Sequence, residues 1–431
     1  MSFFKQTNTD TDYFEQNSKI EYENQPIKNY SEELLSSVTS TSKQESGEYK
    51  FIYEPNCVVN CDKLGFIFRI TSATHSDKWL SNEFIASQIK KFSIKQSSKN
   101  LSTVDIDYAC EIQQRLTAYL MTSKSEAYDN LGVNSSLSNL HKKIDNGSAV
   151  TEIITQHKSA KSSYEENELE RYIPLSVFAP YFTGIRKLDE RYEIEIDLIK
   201  PDDDEFRFLI KPTADGPVIS GQELHFVHNT VELDLVGKEL LNKQPTSQKW
   251  AYTDFIFDSI HCKAGSGTFD KYLTSHYKNI KAIHILSTEN IEYTNATLPF
   301  YAGIGRDFKI KSYRLNIGNK MIQSNDDLIY SDNTLVSIEP YNNFIMCCDP
   351  SVSAFDKFLD RFEYSRTPIL SIPVTNFLPD MDREKLMTEP QTVKIKLSYQ
   401  CTEAHDVHVV IETIKVAEFD QATGSFNLDL I

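Results

Sequence analysis

The feature that most constrains this chain is a strict two-residue alternation of apolar and acidic side chains near its middle. It runs through residues 192–198, YEIEIDL, where every second residue is aromatic or aliphatic and the others are Glu or Asp. Side chains of a β-strand point alternately to opposite faces, so this segment predicts a half-buried strand. Pro201 and three aspartates predict a turn, and FRFLI at 206–210 has the same period. The sequence therefore predicts an antiparallel hairpin, whose register is well specified because a one-residue slip would bury the carboxylates.

Six further strands are predicted after residue 218, at 224–236, 251–263, 280–287, 308–318, 392–400 and 406–419. Strands at such spacing indicate a sandwich or a barrel. Two short helices are predicted between them, at 269–279 and at 351–366, where Ser351 or Ser353 can cap the helix. The sequence has no alternation of strands and helices with glycine-rich turns, which argues against a doubly wound α/β fold. The chain is thus predicted to be mainly β.

The length of 431 residues suits two domains with connecting segments better than one domain. Residues 1–48 are polar and are predicted to form an N-terminal arm, with one short helical candidate, SEELLSSV at 31–38. A turn-rich stretch at 212–222 predicts the boundary between the two domains. The first domain is therefore expected at 49–218 and the second at 219–431.

The first domain is predicted to open with strands, including one at 64–71, and to carry a helical insertion. The helix is expected between 103 and 131, capped by Thr103 or Asp105. Its apolar stripe consists of Ile112, Leu116, Tyr119 and Leu120.

The formal net charge of −17 argues against a broad grip on nucleic acid. Phosphate binding needs clustered Lys and Arg that release counterions, so no specific nucleic-acid binding is predicted, although a local basic patch stays open. The N-terminus has no signal-peptide-like apolar segment, and the sequence has no run of about 18 apolar residues. Neither secretion by the usual route nor a membrane span is expected. Seven scattered cysteines predict free thiols rather than a disulfide framework.

Metal sites find little support in the sequence. Cys57 and Cys61 could form half of a zinc site, but no second pair of ligands lies nearby at a suitable spacing. His405 and His408 could be added, yet a strand would point them to opposite faces. The acidic run at 202–205 lacks the ligand spacing of an EF-hand loop, which favours a solvated turn.

Catalytic motifs are equally weak. The glycine-containing segments 264–268 and 302–306 lack the Gly-Lys-Ser/Thr ending of a phosphate loop and are predicted to be turns. Cys347 and Cys348 have no base near them in the sequence. The sequence therefore predicts no catalytic residue, no metal ligand and no cofactor, and the chain is not expected to be an enzyme.

Several segments carry a resemblance to a known family. The segment 171–188, RYIPLSVFAPYFTGIRKL, leads into the alternating strand and resembles the end of the first jelly roll in double jelly-roll major capsid proteins. The relatives concerned are double-stranded DNA viruses: polinton-like viruses, adintoviruses and virophages. Segment 92–132 is similar to that family's strand, loop and helix, and 308–322 and 407–419 are similar to strands of its second domain. The resemblance covers most of the chain from about 51 to 419.

This resemblance implies two consecutive jelly-roll β-sandwiches with short helices in the connecting loops. It also implies a structural role in the virion: a homotrimer forms a pseudo-hexagonal capsomer, and capsomers assemble inside the host cell with penton and minor capsid proteins into an icosahedral shell. Two alternatives stay open. One is a non-viral tandem-sandwich binding protein of lectin-like or adhesion type, and the other is a carbohydrate-active enzyme, which needs two converging carboxylates.

Overall fold

The computed structural model describes residues 27–72, 86, 88–106, 109–121, 168–199, 219–289, 308–324, 338–350, 364, 369–377, 389–402 and 404–428. The strands of the first half are β1 (Ile27–Ser36), β2 (Glu48–Tyr53), β3 (Cys57–Asn60), β4 (Gly65–Ser72), β5 (Ile89–Gln96), β6 (Lys99–Val104), β7 (Glu168–Pro174), β8 (Ile185–Leu188), β9 (Tyr192–Leu198) and β10 (Ile219–Leu233). Those of the second half are β11 (Ser247–Cys262), β12 (Gly265–Tyr277), β13 (Ile280–Glu289), β14 (Lys309–Ile317), β15 (Lys320–Gln323), β16 (Leu370–Ile372), β17 (Gln391–Cys401), β18 (His405–Asp420) and β19 (Ser425–Leu428). The α-helices are α1 (Thr41–Gln44), α2 (Ala109–Met121), α3 (Leu235–Lys243), α4 (Ile338–Cys347) and α5 (Val374–Phe377).

The strands of the first half form one β-sandwich, called here the first sandwich. Its two four-stranded sheets have the orders β1-β10-β4-β7 and β2-β9-β5-β6, and β3 pairs with β8 beside them. Aromatic side chains from both sheets fill the space between them: the ring of Phe66 lies 5.9 Å from that of Phe51 and 6.4 Å from that of Phe92. These large apolar rings supply much of the buried area that stabilises the sandwich.

The strands β11 to β19 form the second sandwich. One sheet has the order β11-β18-β13-β16, with β19 beside β18, and the other has the order β12-β17-β14-β15. Every described residue of β18 from 407 to 413 is buried. A strand that is covered on both faces needs a nearly continuous apolar run instead of an alternation, and VHVVIETI at 407–414 has that character.

The strand predicted at 192–198 is confirmed as β9, with its carboxylates on the outer face, but the predicted hairpin is wrong. Both edges of β9 are already paired: Ile194 aligns with Phe51 of β2 on one side and with Ile94 of β5 on the other. A strand has only two hydrogen-bonding edges, so a strand at 206–210 cannot be a further neighbour of β9. Residues 206–210 lie outside the described residues.

The other strand predictions hold. The strand expected at 64–71 is β4, and the six expected after residue 218 are β10, β11, β13, β14, β17 and β18. The helical insertion is confirmed as α2, whose predicted apolar stripe is buried. Thr103 lies in β6 and does not cap this helix, and residues 122–131 are not among those described.

Two predicted helices are strands, and one helix is not described. The segment 31–38 lies mostly in β1, and 269–279 lies mostly in β12, which pairs along its length with β17. Phe269, Leu273 and Tyr277 recur every four residues, and a spacing of four places side chains on one face of either a helix or a strand. That ambiguity explains the wrong prediction for β12. The helix expected at 351–366 falls almost entirely outside the described residues.

The pairing of β1 and β10 changes the expected domain limits. The predicted arm, 1–48, contains β1, and the predicted second domain, 219–431, begins with β10, yet these two strands pair with each other. Since β10 also pairs with β4, both strands belong to the first sandwich. We propose that the first domain includes β1 and β10 and that the boundary lies at 234–246, around α3.

The two sandwiches meet at β19. The ring of Phe426 lies 4.7 Å from that of Phe182 and 5.7 Å from that of Tyr181, both in the first sandwich. Its backbone N–H donates a hydrogen bond to Gln96 Oε1 at 3.1 Å. The turn before β19 contains Gly424 with φ +66°, where an added Cβ would collide with the backbone nitrogen of Asp189 in the first sandwich. Glycine is therefore required for this close approach.

Arg186 of β8 makes a further contact between the sandwiches. Its guanidinium carbon lies 3.7 Å from the ring centroid of Trp250 in β11, and its Nη1 donates to Gln248 Oε1 at 2.8 Å. The Nε donates to the carbonyl oxygen of Thr183 at 2.8 Å. A planar guanidinium combines stacking with directed hydrogen bonds, which a lysine could not reproduce.

We predict that Phe426→Ala destabilises the protein by about 3–5 kcal/mol, because it empties the space between aromatic rings of the two sandwiches. The sandwiches should then unfold in two separate transitions, measurable by calorimetry and by urea denaturation. Ser266→Ala is the control, since Ser266 is an exposed residue of β12 in the second sandwich, and it should change stability by less than about 0.5 kcal/mol. Equal effects of the two substitutions would contradict this account of the junction.

Candidate functional site

The cysteines and histidines weighed as metal ligands are dispersed. Cys61 is fully buried beside β3, and burial raises its pKa to about 12, so it stays a neutral thiol. His405 and His408 are both buried on β18 and have different neighbours: His405 packs 5.2 Å from the ring of Phe308, and His408 Nδ1 lies 2.9 Å from Ser259 Oγ. Within the described part of the chain, no group of three or more His, Cys, Asp or Glu side chains is arranged to hold a metal ion.

The other candidates from the sequence are the glycine-containing segments, the acidic run and the Cys347–Cys348 pair. Where the structure describes them, it shows no arrangement suited to catalysis or to ligand binding. Gly265 to Thr268, predicted as a turn, are the first residues of β12. Cys347 and Cys348 are buried at the end of α4, and burial raises the pKa of Cys347 well above its usual value. The acidic run 202–205 and the segment 302–306 lie outside the described residues.

A buried polar network in the second sandwich was not anticipated from the sequence. Ser371 Oγ lies 2.9 Å from His284 Nδ1, and His284 Nε2 lies 3.1 Å from Glu412 Oε2. Lys281 Nζ donates to the other oxygen, Glu412 Oε1, at 2.6 Å. The residues come from β13, β16 and β18, far apart in sequence, so no local motif could have indicated them.

The Ser-His-Glu order resembles a hydrolase triad, but the surroundings do not allow that chemistry. Ser371, His284 and Glu412 each have 0% exposed surface, so no substrate can reach the hydroxyl. Burial opposes ionisation of Glu412, but the charge of Lys281 and the hydrogen bond from His284 outweigh it and lower the pKa of Glu412 to about 2. The network is therefore a compensated buried ion pair, which fixes the relative positions of three strands.

Exposed apolar side chains are concentrated at a few places on the surface. Among the described residues, the large ones are Tyr30, Leu34, Val38, Leu235, Val236, Leu240, Tyr272, Met321 and Met346. Three of them lie on α3, whose first turn is capped by Asp234 through a 2.8 Å hydrogen bond from the Gly237 N–H. Leu241 turns inward and packs on β10, whereas Leu235, Val236 and Leu240 stay exposed beside the exposed Glu239–Lys243 ion pair. Exposed apolar side chains of this kind are typical of protein contact surfaces.

A second exposed apolar surface lies on β1. Tyr30 and Leu34 are 43% and 45% exposed and point to the outer face of their sheet. Tyr172 extends this face, because its ring lies over Gly65, where a Cβ would have no room. Gly65 aligns with Val227, and Val227 aligns with Leu34, so the three strands β4, β10 and β1 contribute to one surface.

The architecture as a whole, two antiparallel sandwiches in one chain with buried contacts between them, is a double jelly-roll fold. Solved structures of this class match the chain along nearly its full length. The crystal structure of the mavirus major capsid protein has a TM-score of 0.54 and 11% identity, and the match covers 93% of this chain and 90% of that one. The Sputnik virophage structure has a TM-score of 0.54 and 10% identity, with 94% and 89% covered. A quasi-atomic model of the PBCV-1 virus capsid gives 0.53 and 9%, with 94% and 97% covered.

These matches confirm the predicted mainly β, double jelly-roll fold and its resemblance to the viral capsid fold. Comparisons with protein-family models and with curated proteins give no match. Among the described residues, no helix is long and apolar enough to cross a membrane.

We predict that Glu412→Gln destabilises the protein by about 1.5–3 kcal/mol at neutral pH, because the buried carboxylate loses its charged hydrogen bond to Lys281, whose side chain is 32% exposed. A carboxylate whose pKa falls on folding stabilises the native state above its unfolded pKa, about 4.3, and this contribution is lost as the pH falls towards 2. Urea denaturation between these pH values should show a steep loss of stability in the wild type and a shallower one in Glu412→Gln.

The control is Glu418→Gln on the same strand, where the carboxylate is half-exposed and pairs with Lys249 at 3.6 Å. That substitution should cost less than about 1 kcal/mol. Parallel pH profiles for the wild type and Glu412→Gln would refute the assigned role of Glu412.

Proposed function

We propose that this chain is the major capsid protein of a double-stranded DNA virus, and that three copies form a pseudo-hexagonal capsomer of an icosahedral shell. The observation that carries the proposal is the likeness to the mavirus major capsid protein, which extends over both sandwiches and 93% of the chain. A single-sandwich relative would not account for the second half.

The physical properties of the chain support an assembly role. The aromatic contacts of Phe426 and the buried Arg186 hold the two sandwiches as one stiff unit. Three such units around a threefold axis place six sandwiches in a ring, which is the arrangement of a pseudo-hexagonal capsomer. Stable oligomer interfaces are apolar at their centres, and the exposed side chains of β1 and α3 offer surfaces of that kind.

In this proposal the protein acts by assembly and carries out no reaction. Its partners are two further copies in the capsomer, neighbouring capsomers, and penton and minor capsid proteins. The chain is made inside the infected cell and ends in the virion shell. The Ser371 network fits this role as a core element, since its hydroxyl has no access to solvent.

We predict that the purified full chain is a trimer, with a mass by light scattering of three times the chain mass of 49.5 kDa. Negative-stain electron microscopy should show particles with six lobes around a threefold axis. A monomer at all concentrations, with single two-lobed particles, would overturn the proposal and favour a tandem-sandwich binding protein. Release of sugars from a polysaccharide panel would instead favour the carbohydrate-active enzyme.

A further inference from the structure

One outer sheet face of the second sandwich is basic, although the chain as a whole carries a net charge of −17. The strands β12, β17, β14 and β15 lie side by side, and their register places outward residues in rows. One row consists of Asp270, Lys396, Arg314 and Gln323, and the next consists of Tyr272, Lys394, Asn316 and Met321. The residues between them in sequence, such as Ile395 and Leu315, are buried in the core, so both rows point outward.

The charges on this face are only partly compensated. Lys394 Nζ lies 2.8 Å from Asp270 Oδ1, which accounts for one cation. Lys396 and Arg314 are exposed, and neither has an ion-pair partner among the described residues. Adjacent strands lie about 4.8 Å apart, so these two aligned cations form a compact positive site.

The same face exposes two large apolar side chains, Tyr272 at 65% and Met321 at 56%. We call Arg314, Lys394, Lys396, Tyr272 and Met321 the basic face. Two of its cations, Lys396 and Arg314, have no ion-pair partner among the described residues, and apolar groups are exposed beside them. This composition suits a contact with an acidic protein surface.

A surface of matching composition occurs on the first sandwich. On β1, Tyr30, Glu32 and Leu34 are exposed on the outer face, where the Tyr30 hydroxyl donates to Glu32 Oε2 at 3.0 Å. The exposed Glu33 points to the other side of this strand, and its Oε2 lies 4.0 Å from His228 Nε2. We call Tyr30, Leu34 and the two glutamates the acidic segment. Among the described strands, β1 is the edge of its sheet, so an approaching protein can reach the segment from the side as well as from the outer face.

We propose that the basic face of one copy binds the acidic segment of the next copy. This inference rests on the proposed function, since it names the contact that would hold the trimer together. The two surfaces lie on different sandwiches, so the contact is heterologous, and heterologous contacts between identical chains can close into a ring. Apolar groups at both surfaces supply buried area, and the opposite charges select the pairing.

A nucleic acid is a less suitable ligand for the basic face than the acidic segment of another copy. The net charge of −17 means that the rest of the chain repels phosphates. The same negative charge means that another copy of the chain can supply an acidic surface to the basic face. The acidic segment would also have no role if the basic face bound DNA.

The test uses full-length chains with reversed charges, and each variant is first checked for wild-type circular dichroism and melting temperature. Arg314→Glu with Lys396→Glu should raise the trimer dissociation constant at least about tenfold, because like charges then meet across the contact. Glu32→Lys with Glu33→Lys should have an effect of the same size. Combining all four substitutions should restore the wild-type trimer, since the charges are exchanged and not removed. The matched control is Lys63→Glu, an exposed lysine outside both surfaces, which should leave the trimer unchanged.

The outcomes separate this inference from the proposed function. A monomeric wild type overturns both. A wild-type trimer that persists in the Arg314→Glu, Lys396→Glu variant, or a fourfold variant that stays dissociated, overturns the inference alone. Co-elution of DNA with the wild-type trimer that is lost in this variant, while the trimer remains, would assign the basic face to nucleic acid and would also overturn the inference.

Discussion

The seating of Phe426 between the two sandwiches is the contact on which the rest of the architecture depends. The buried apolar side chains of both sandwiches belong to one continuous cluster. β19 is hydrogen-bonded to β18 of the second sandwich, and it places Phe426 against Tyr181 and Phe182 of the first. Because close-packed interiors deform little, this cluster transmits the orientation of one sandwich to the other.

The second sandwich depends in turn on β18, which is covered on both faces. A strand in this position can carry a charge only if that charge is compensated, and Glu412 has Lys281 and His284 as partners. An apolar residue at 412 would pack as well, but it would select no particular alignment of β13 and β16. The polar network ties Ser371 and His284 to one position on β18, so the buried carboxylate selects the strand alignment even where its net contribution to stability is small.

The strands that could be predicted from the sequence are those whose neighbours impose one clear pattern. β9 alternates because one of its faces is solvated, and β18 lacks this strict alternation because both of its faces are covered. A helix was wrongly predicted where β1 lies, because an edge strand with exposed Leu34 and Tyr30 has no alternation of apolar and polar residues. A helix was also wrongly predicted where β12 lies, because a four-residue spacing of apolar side chains suits a helix and a strand equally. The pairing partners of β9, the Glu412 network and the basic face all join residues distant in sequence, which no local pattern specifies.

Two charged outer sheet faces, one on each sandwich, differ in how far their charges are compensated within the chain. On the first sandwich, Lys50 pairs with Glu193 at 2.8 Å and Lys95 with Glu195 at 3.3 Å, so that face is compensated within the chain and has little electrostatic need of a partner. On the second sandwich, Lys396 and Arg314 have no ion-pair partner among the described residues. Exposed ion pairs within a chain contribute little to folding, so the compensated charges of the first sandwich add little to its stability. In the proposed contact between copies, Lys396 and Arg314 are the cations that can pair with acids of another chain, because no ion pair within the described residues occupies them.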